Sequence, residues 1–101
     1  MLNILLVCNA GMSTSMVVKK MRDAAKERGL EAEINARPIS ECKDLIDTLD
    51  IILLGPQVKF QKPQVDKLVE GKIPVEVMDM RSYGTMNGAA ILDQALKILN
   101  L

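Results

Sequence analysis

The chain has 101 residues, with acidic and basic side chains balanced at 13 each and 49% apolar residues. That length fits one domain, residues 1–101, with a modest core, and the zero net charge offers no basic field to a nucleic acid. One Phe, one Tyr and no Trp leave no platform on which bases could stack, and the apolar share is too high for a disordered chain.

Taken in order, NILLV at residues 3–7 is a continuous apolar run, as expected of a strand covered on both faces. The start MLNILLVCNAG lacks the basic opening and long apolar stretch of a signal peptide. The runs ILLV and IILL fall far short of the roughly 20 residues that span a bilayer. A cytoplasmic protein without direct membrane insertion is expected. A helical period over residues 13–28 places Val17, Met21, Ala24, Ala25 and Arg28 on one face, with Lys19, Lys20, Arg22 and Lys26 largely elsewhere. Gly29 is a natural stop. EAEINA at 31–36 alternates in character and suggests an edge strand. Pro38 breaks the chain, and Ser40 can cap a short helix over ECKDLIDTL.

IILL at 51–54 is the second continuous apolar run, ended by Gly55-Pro56. A helix follows from Lys62 to Glu70, with Pro63 in its first turn and Gly71 beyond its end. VEVM at 75–78 predicts a fourth strand. A last helix is expected from Thr85 to Leu99, with Ile91, Leu92, Ala95, Leu96 and Leu99 as its apolar stripe. The alternation of strand and helix implies an α/β fold: a three-layer α/β/α, Rossmann-like arrangement around a four-stranded parallel sheet. The two fully apolar strands belong in the centre and the mixed ones at the edges. Order 2-1-3-4 satisfies that.

Such a sheet binds ligands beyond the carboxyl ends of its strands, where the strand order reverses. In order 2-1-3-4 that place lies between strands one and three. Cys8 ends the first, and Gly55-Pro56-Gln57 ends the third. The segment C-N-A-G-M-S-T-S thus runs from a strand into the N-terminus of a helix. Its backbone N–H groups can form an anion cradle, the helix dipole favours negative charge there, and Gly11 permits a tight bend. Ser13, Thr14 and Ser15 add hydroxyl donors. Cys8 in that setting should have a depressed pKa and become a nucleophilic thiolate, suited to carry a phosphoryl group. The alternative is that Cys8 is a small buried hydrophobe and the hydroxyl residues are helix caps. Spacing alone leaves both readings open.

Other motifs are absent. Neither G-x-x-x-x-G-K-[ST] nor G-x-G-x-x-G occurs. The chain has no histidine, so no Ser-His or Cys-His pair can form within it. Cys8 and Cys42 form no C-x-x-C pair, which argues against a disulfide or a zinc site in the cytosol. No metal or other cofactor is expected. Cysteine phosphatases of the low-molecular-weight type carry C-x5-R, whose arginine clamps the transferring group. Here Thr14 stands at that position. The loop is therefore able to hold a phosphoryl group and poorly equipped to hydrolyse it. That suits a relay.

Three segments, ILLVCNAGMSTSMVVKKM, DIILLGPQVKF and VEVMDMRSYGTMNG, resemble the enzyme IIB component of the bacterial phosphoenolpyruvate-dependent sugar phosphotransferase system (PTS), of the lactose/cellobiose type. The resemblance covers essentially the whole chain. It implies the same four-stranded fold, which is also low-molecular-weight-phosphatase-like. It implies that Cys8 is transiently phosphorylated and that Asn9, Ala10, Gly11, Met12, Ser13, Thr14 and Ser15 form the phosphate loop. The donor would be a phosphohistidine on IIA. The acceptor would be a disaccharide such as cellobiose, chitobiose or lactose, held by membrane-embedded IIC, with a cellobiose-like sugar the first expectation. The chain would act as a monomer that docks transiently at the inner membrane face through IIC.

Around the crevice, Met12, Pro56, Gln57, Val58 and Tyr83 are expected to form a partner-binding rim; Phe60 either joins it or packs locally. Asp79 is expected to cap a turn rather than act as a general acid. Cys42 is expected to be structural, and Lys59 and Lys62 solvated. Two rival functions are a cysteine-dependent phosphatase and a non-catalytic anion-binding module of the same fold.

Overall fold

The structure, a computed structural model, describes the backbone of residues 1–7 and 12–101, and all side chains in those ranges except those of Met12 and Ser13. Four strands, β1 (Leu2–Val7), β2 (Ala32–Arg37), β3 (Ile51–Leu54) and β4 (Val75–Val77), form one parallel sheet of order β2-β1-β3-β4. This is the expected order, and its cause is visible in the sequence. From Ile4 to Val7 and throughout β3 every residue is buried, because helices cover both faces of these central strands.

The pleat sends alternate side chains to opposite faces. Ile4 and Leu6 of β1 with Ile51 and Leu53 of β3 enter a cluster with α1 (Met12–Glu27), through Val17, Val18 and Met21, and with the C-terminal helix. Leu5, Val7, Ile52 and Leu54 enter a second cluster with Cys42, Ile46, Val58, Val65 and Val69 on the other face. The apolar face of α1 is as read from the sequence, with two differences. Val18 is buried as well, and Arg28 lies outside the core, where it pairs with Asp93. Gly29 (φ +67) ends α1, with Leu30 N–H donating to Ala25 O at 2.9 Å and Gly29 N–H to Lys26 O at 3.1 Å.

Three stretches differ from expectation. The helix expected over ECKDLIDTL is two short pieces, α2 (Ile39–Cys42) and a 3₁₀ segment, Lys43–Thr48. Pro38, held extended, takes the capping position assigned to Ser40. A further 3₁₀ segment, Pro56–Gln61, joins β3 to α3 (Lys62–Val69). Short 3₁₀ turns are common as connectors and helix ends.

The helix expected over Thr85–Leu99 is α5 (Gly88–Ile98), which starts later than expected, and a short helix not expected from the sequence, α4 (Met80–Gly84), precedes it. Two side-chain caps explain where these helices start. Asp79 accepts from Ser82 N–H at 3.0 Å and Asn87 accepts from Ala90 N–H at 3.1 Å, so each starts its own helix. Met86, at φ +53, makes the turn between them. Gly88 is required at the start of α5. A Cβ there would lie 2.4 Å from the Lys20 carbonyl carbon and 2.5 Å from Met21 N, inside α1.

Candidate functional site

The reversal of strand order falls between β1 and β3. The carboxyl ends of these strands are tied together, since Gly55 N–H donates to Val7 O at 3.0 Å. β4 is tied in next, as Met78 N–H donates to Leu54 O at 2.8 Å. Val7 is the residue before Cys8, and Met12 opens α1. Cys8, Asn9, Ala10 and Gly11 lie outside the described residues, as do the side chains of Met12 and Ser13. Thr14 and Ser15 are in the first turn of α1. Ser15 is exposed, whereas Thr14 is 1% exposed and is the buried polar residue of the described core.

A buried hydroxyl needs a partner. Thr14 Oγ1 lies 3.0 Å from Tyr83 Oη, which in turn accepts from Gln57 Nε2 at 3.1 Å. Three side chains from three segments meet here: Thr14 from α1 after β1, Gln57 from the 3₁₀ segment after β3, and Tyr83 from α4 after β4. Gly55 makes room for this, because a Cβ there would stand 2.8 Å from Gln57 Oε1. Sequence reasoning placed Gln57 and Tyr83 near the crevice but missed their connection to Thr14. No local signal marks a hydrogen bond between residues 69 positions apart.

The expected rim residues separate. Pro56 is half-buried at the start of its 3₁₀ segment and Gln57 is exposed. Val58 is a correction. It is fully buried (0% exposed) and packs in the core cluster of Leu5, Val7 and Cys42, so it presents nothing to a partner. The physical reason is the turn of the 3₁₀ segment, where Val58 N–H donates to Gly55 O at 3.0 Å and the side chain points back under β3. Phe60 is 69% exposed.

Asp79 caps α4 and takes hydrogen bonds from both the N–H and the hydroxyl of Ser82, each at 3.0 Å. These bonds hold its carboxyl below the usual carboxylate range, the backbone bond contributing most. A carboxyl kept ionised in this way is a poor general acid. Gln94 steadies the same corner, accepting from Asp79 N–H at 3.0 Å and donating to Val77 O at 2.9 Å. Cys42 is buried, and desolvation pushes its thiol up. Lys59 is exposed, and Lys62 pairs with Asp66 one turn along α3 at 3.1 Å. Arg22 is committed to β2, with Nε on Ile34 O at 2.9 Å and the guanidinium on Asn35 Oδ1 at 3.0 Å.

Residues 3–94 match the family described as "PTS system, Lactose/Cellobiose specific IIB subunit". The chain belongs to this family. The IIB subunit is 41% identical to the PTS system oligo-beta-mannoside-specific EIIB component of Bacillus subtilis (strain 168), an alignment covering 98% of this chain and 97% of that one. It superimposes with a TM-score of 0.81 on the cellobiose-specific phosphotransferase IIB component of Borrelia burgdorferi, at 40% identity over 98% of this chain and 92% of that one. A lactose-specific EIICB component of Lacticaseibacillus casei is 26% identical over 67% of this chain and 12% of its own length. As a IIB subunit, the protein is a component of a sugar phosphotransferase system and works with IIA and IIC components. Among the described residues, no helix is long and apolar enough to cross a membrane.

Proposed function

We propose that this IIB subunit acts in the cytoplasm as a single domain, residues 1–101, and carries one phosphoryl group on Cys8. The family match across residues 3–94 carries this reading, because it spans the cysteine between β1 and the N-terminus of α1. The donor is a phosphohistidine on IIA, and the acceptor is a sugar hydroxyl bound by membrane IIC at the inner face of the membrane. The sugar is a disaccharide such as cellobiose, chitobiose or lactose, a reading supported by the relatives named for oligo-beta-mannoside and cellobiose, while another of similar identity is named for galactose.

In the first step the Cys8 thiolate attacks phosphorus in line. The S–P bond forms, and the P–N bond breaks with its electron pair going to the imidazole. In the second step the sugar oxygen attacks phosphorus and the thiolate leaves, while the hydroxyl proton passes to a base on the IIC side. Both steps need positioning and charge stabilisation. Backbone N–H groups of residues 9–15 at a helix N-terminus suit that task, with Ser13, Thr14 and Ser15 as neutral donors. Neutral donors hold the thiophosphate less tightly than an arginine would, which favours onward transfer over hydrolysis. The subunit acts as a monomer, with Met12, Pro56, Gln57 and Tyr83 near the partner-facing mouth.

Intact mass measured after incubation with phosphoenolpyruvate, the upstream phosphotransferases and a IIA component tests the assignment. Wild type should gain one phosphoryl group and Cys8→Ser none. A Cys8→Ser protein that gains the group, or a wild type that gains none from phosphorylated IIA, would overturn it. An aryl phosphate should be hydrolysed no faster by wild type than by Cys8→Ser.

A further inference from the structure

The arrangement of Thr14, Tyr83 and Gln57 has a polarity. The Gln57 amide nitrogen can only donate, and it points at Tyr83 Oη from 3.1 Å. A phenol hydroxyl has one proton. With Gln57 occupying an acceptor direction of the oxygen, that proton is free to bond Thr14 Oγ1 at 3.0 Å. In that direction Thr14 accepts, and its own proton can bond a third group.

We propose that Gln57 and Tyr83 are positioning residues, forming a one-way hydrogen-bond chain that fixes the Thr14 hydroxyl as a donor to the phosphoryl group on Cys8. This rests on the carrier reading above. The chain is held rigidly at each link. Thr14 is buried in the first turn of α1. The Gln57 amide lies over the bare backbone of Gly55, where a Cβ would collide with it. Tyr83 sits on a helix pinned by the Asp79 cap and by Gln94. A donor oriented in advance costs no reorganisation when charge develops on the transferring group.

Reversing the polarity while keeping the contact separates this role from packing. In Gln57→Glu the carboxylate accepts from Tyr83, which turns the phenol proton away from Thr14 and draws the Thr14 proton onto Tyr83 Oη. Gln57→Leu removes the contact altogether. Single-turnover transfer from phosphorylated IIA should slow on the order of 10-fold to 100-fold in Tyr83→Phe, at or below the loss typical of one oxyanion donor. Gln57→Glu should be at least as slow as Gln57→Leu. Thr14→Val should be slow, and Thr14→Ser should recover rate relative to it.

A Gln57→Glu protein near wild-type rate, with Gln57→Leu the slower of the two, would show a packing role and overturn the proposal. The double variant Tyr83→Phe/Gln57→Glu should be no slower than Tyr83→Phe alone. Multiplying losses would instead show direct repulsion by the new charge, and would also overturn it. If Tyr83→Phe fails to fold, the two Gln57 variants and the two Thr14 variants still decide. A wild type that takes no phosphoryl group refutes the carrier reading itself, whereas an active wild type with unaffected Gln57 and Thr14 variants refutes only the chain.

Discussion

At the scale of single residues, the two cysteines should behave as opposites. Cys42 is buried among Leu5, Val7 and Ile46, and burial raises its thiol pKa. Cys8 follows the last residue of a central strand and precedes a helix N-terminus, a setting that favours thiolate. Iodoacetamide at neutral pH should add once to folded wild type and not at all to Cys8→Ser until denaturant exposes Cys42. Mass spectrometry reads both, and rapid native labelling of Cys8→Ser would refute the assignment of Cys42 as structural. Asp79 gives a second test. Its pKa is lowered by the Ser82 hydrogen bonds. It therefore stabilises the fold above the unfolded carboxylate pKa of about 3.9, and that contribution is lost as pH falls through the lower folded value. Asp79→Asn should lower the thermal midpoint at neutral pH, with the gap closing in acid. A gap of constant size from neutral to acid pH would contradict this.

At the scale of elements, α5 packs tightly against α1 at Gly88. Gly88→Ala would drive a methyl group into the Lys20–Met21 backbone, which cannot move aside as a side-chain tip can. Overpacking of this kind costs about 3 kcal/mol, and in a domain of this size that lowers the melting midpoint by roughly 10–20 °C. Calorimetry would measure it, and an unchanged midpoint would mean that the helices have room to part. The elements also show what a sequence can declare. Two runs of four or more apolar residues named the central strands, since only a doubly covered strand is apolar on both faces. Gly29 named the end of α1. Helix α4 stayed hidden because its five residues bury none of their side chains and carry no apolar period, and the strong stripe from Ile91 onward drew the start of α5 back to Thr85. Val58 was misplaced because one 3₁₀ turn decides whether a loop valine faces water or the sheet. The place of the candidate site was legible in the strand order, whose reversal between β1 and β3 follows from the two apolar runs. The site was illegible where Thr14 meets Tyr83 across the whole chain.

At the scale of the molecule, the central sheet joins two apolar clusters that share no helix. Ile52 and Leu53 are neighbours in β3 that face opposite clusters. Ile52→Ala and Leu53→Ala should each remove about 2–5 kcal/mol, and each should leave one cooperative urea transition, because neither layer can keep its face of β3 when the strand is lost. Separate transitions by far-UV circular dichroism and amide exchange would show that the layers melt independently. The composition adds one more consequence. With a single tyrosine and no tryptophan, nearly all the near-ultraviolet absorbance and intrinsic emission of the protein comes from Tyr83, whose hydroxyl bridges the segments that leave three strands. The molecule thus contains its own optical gauge, set within the network that meets the first turn of α1, and the proposed phosphorylation of Cys8 can be sought through it without attaching a dye.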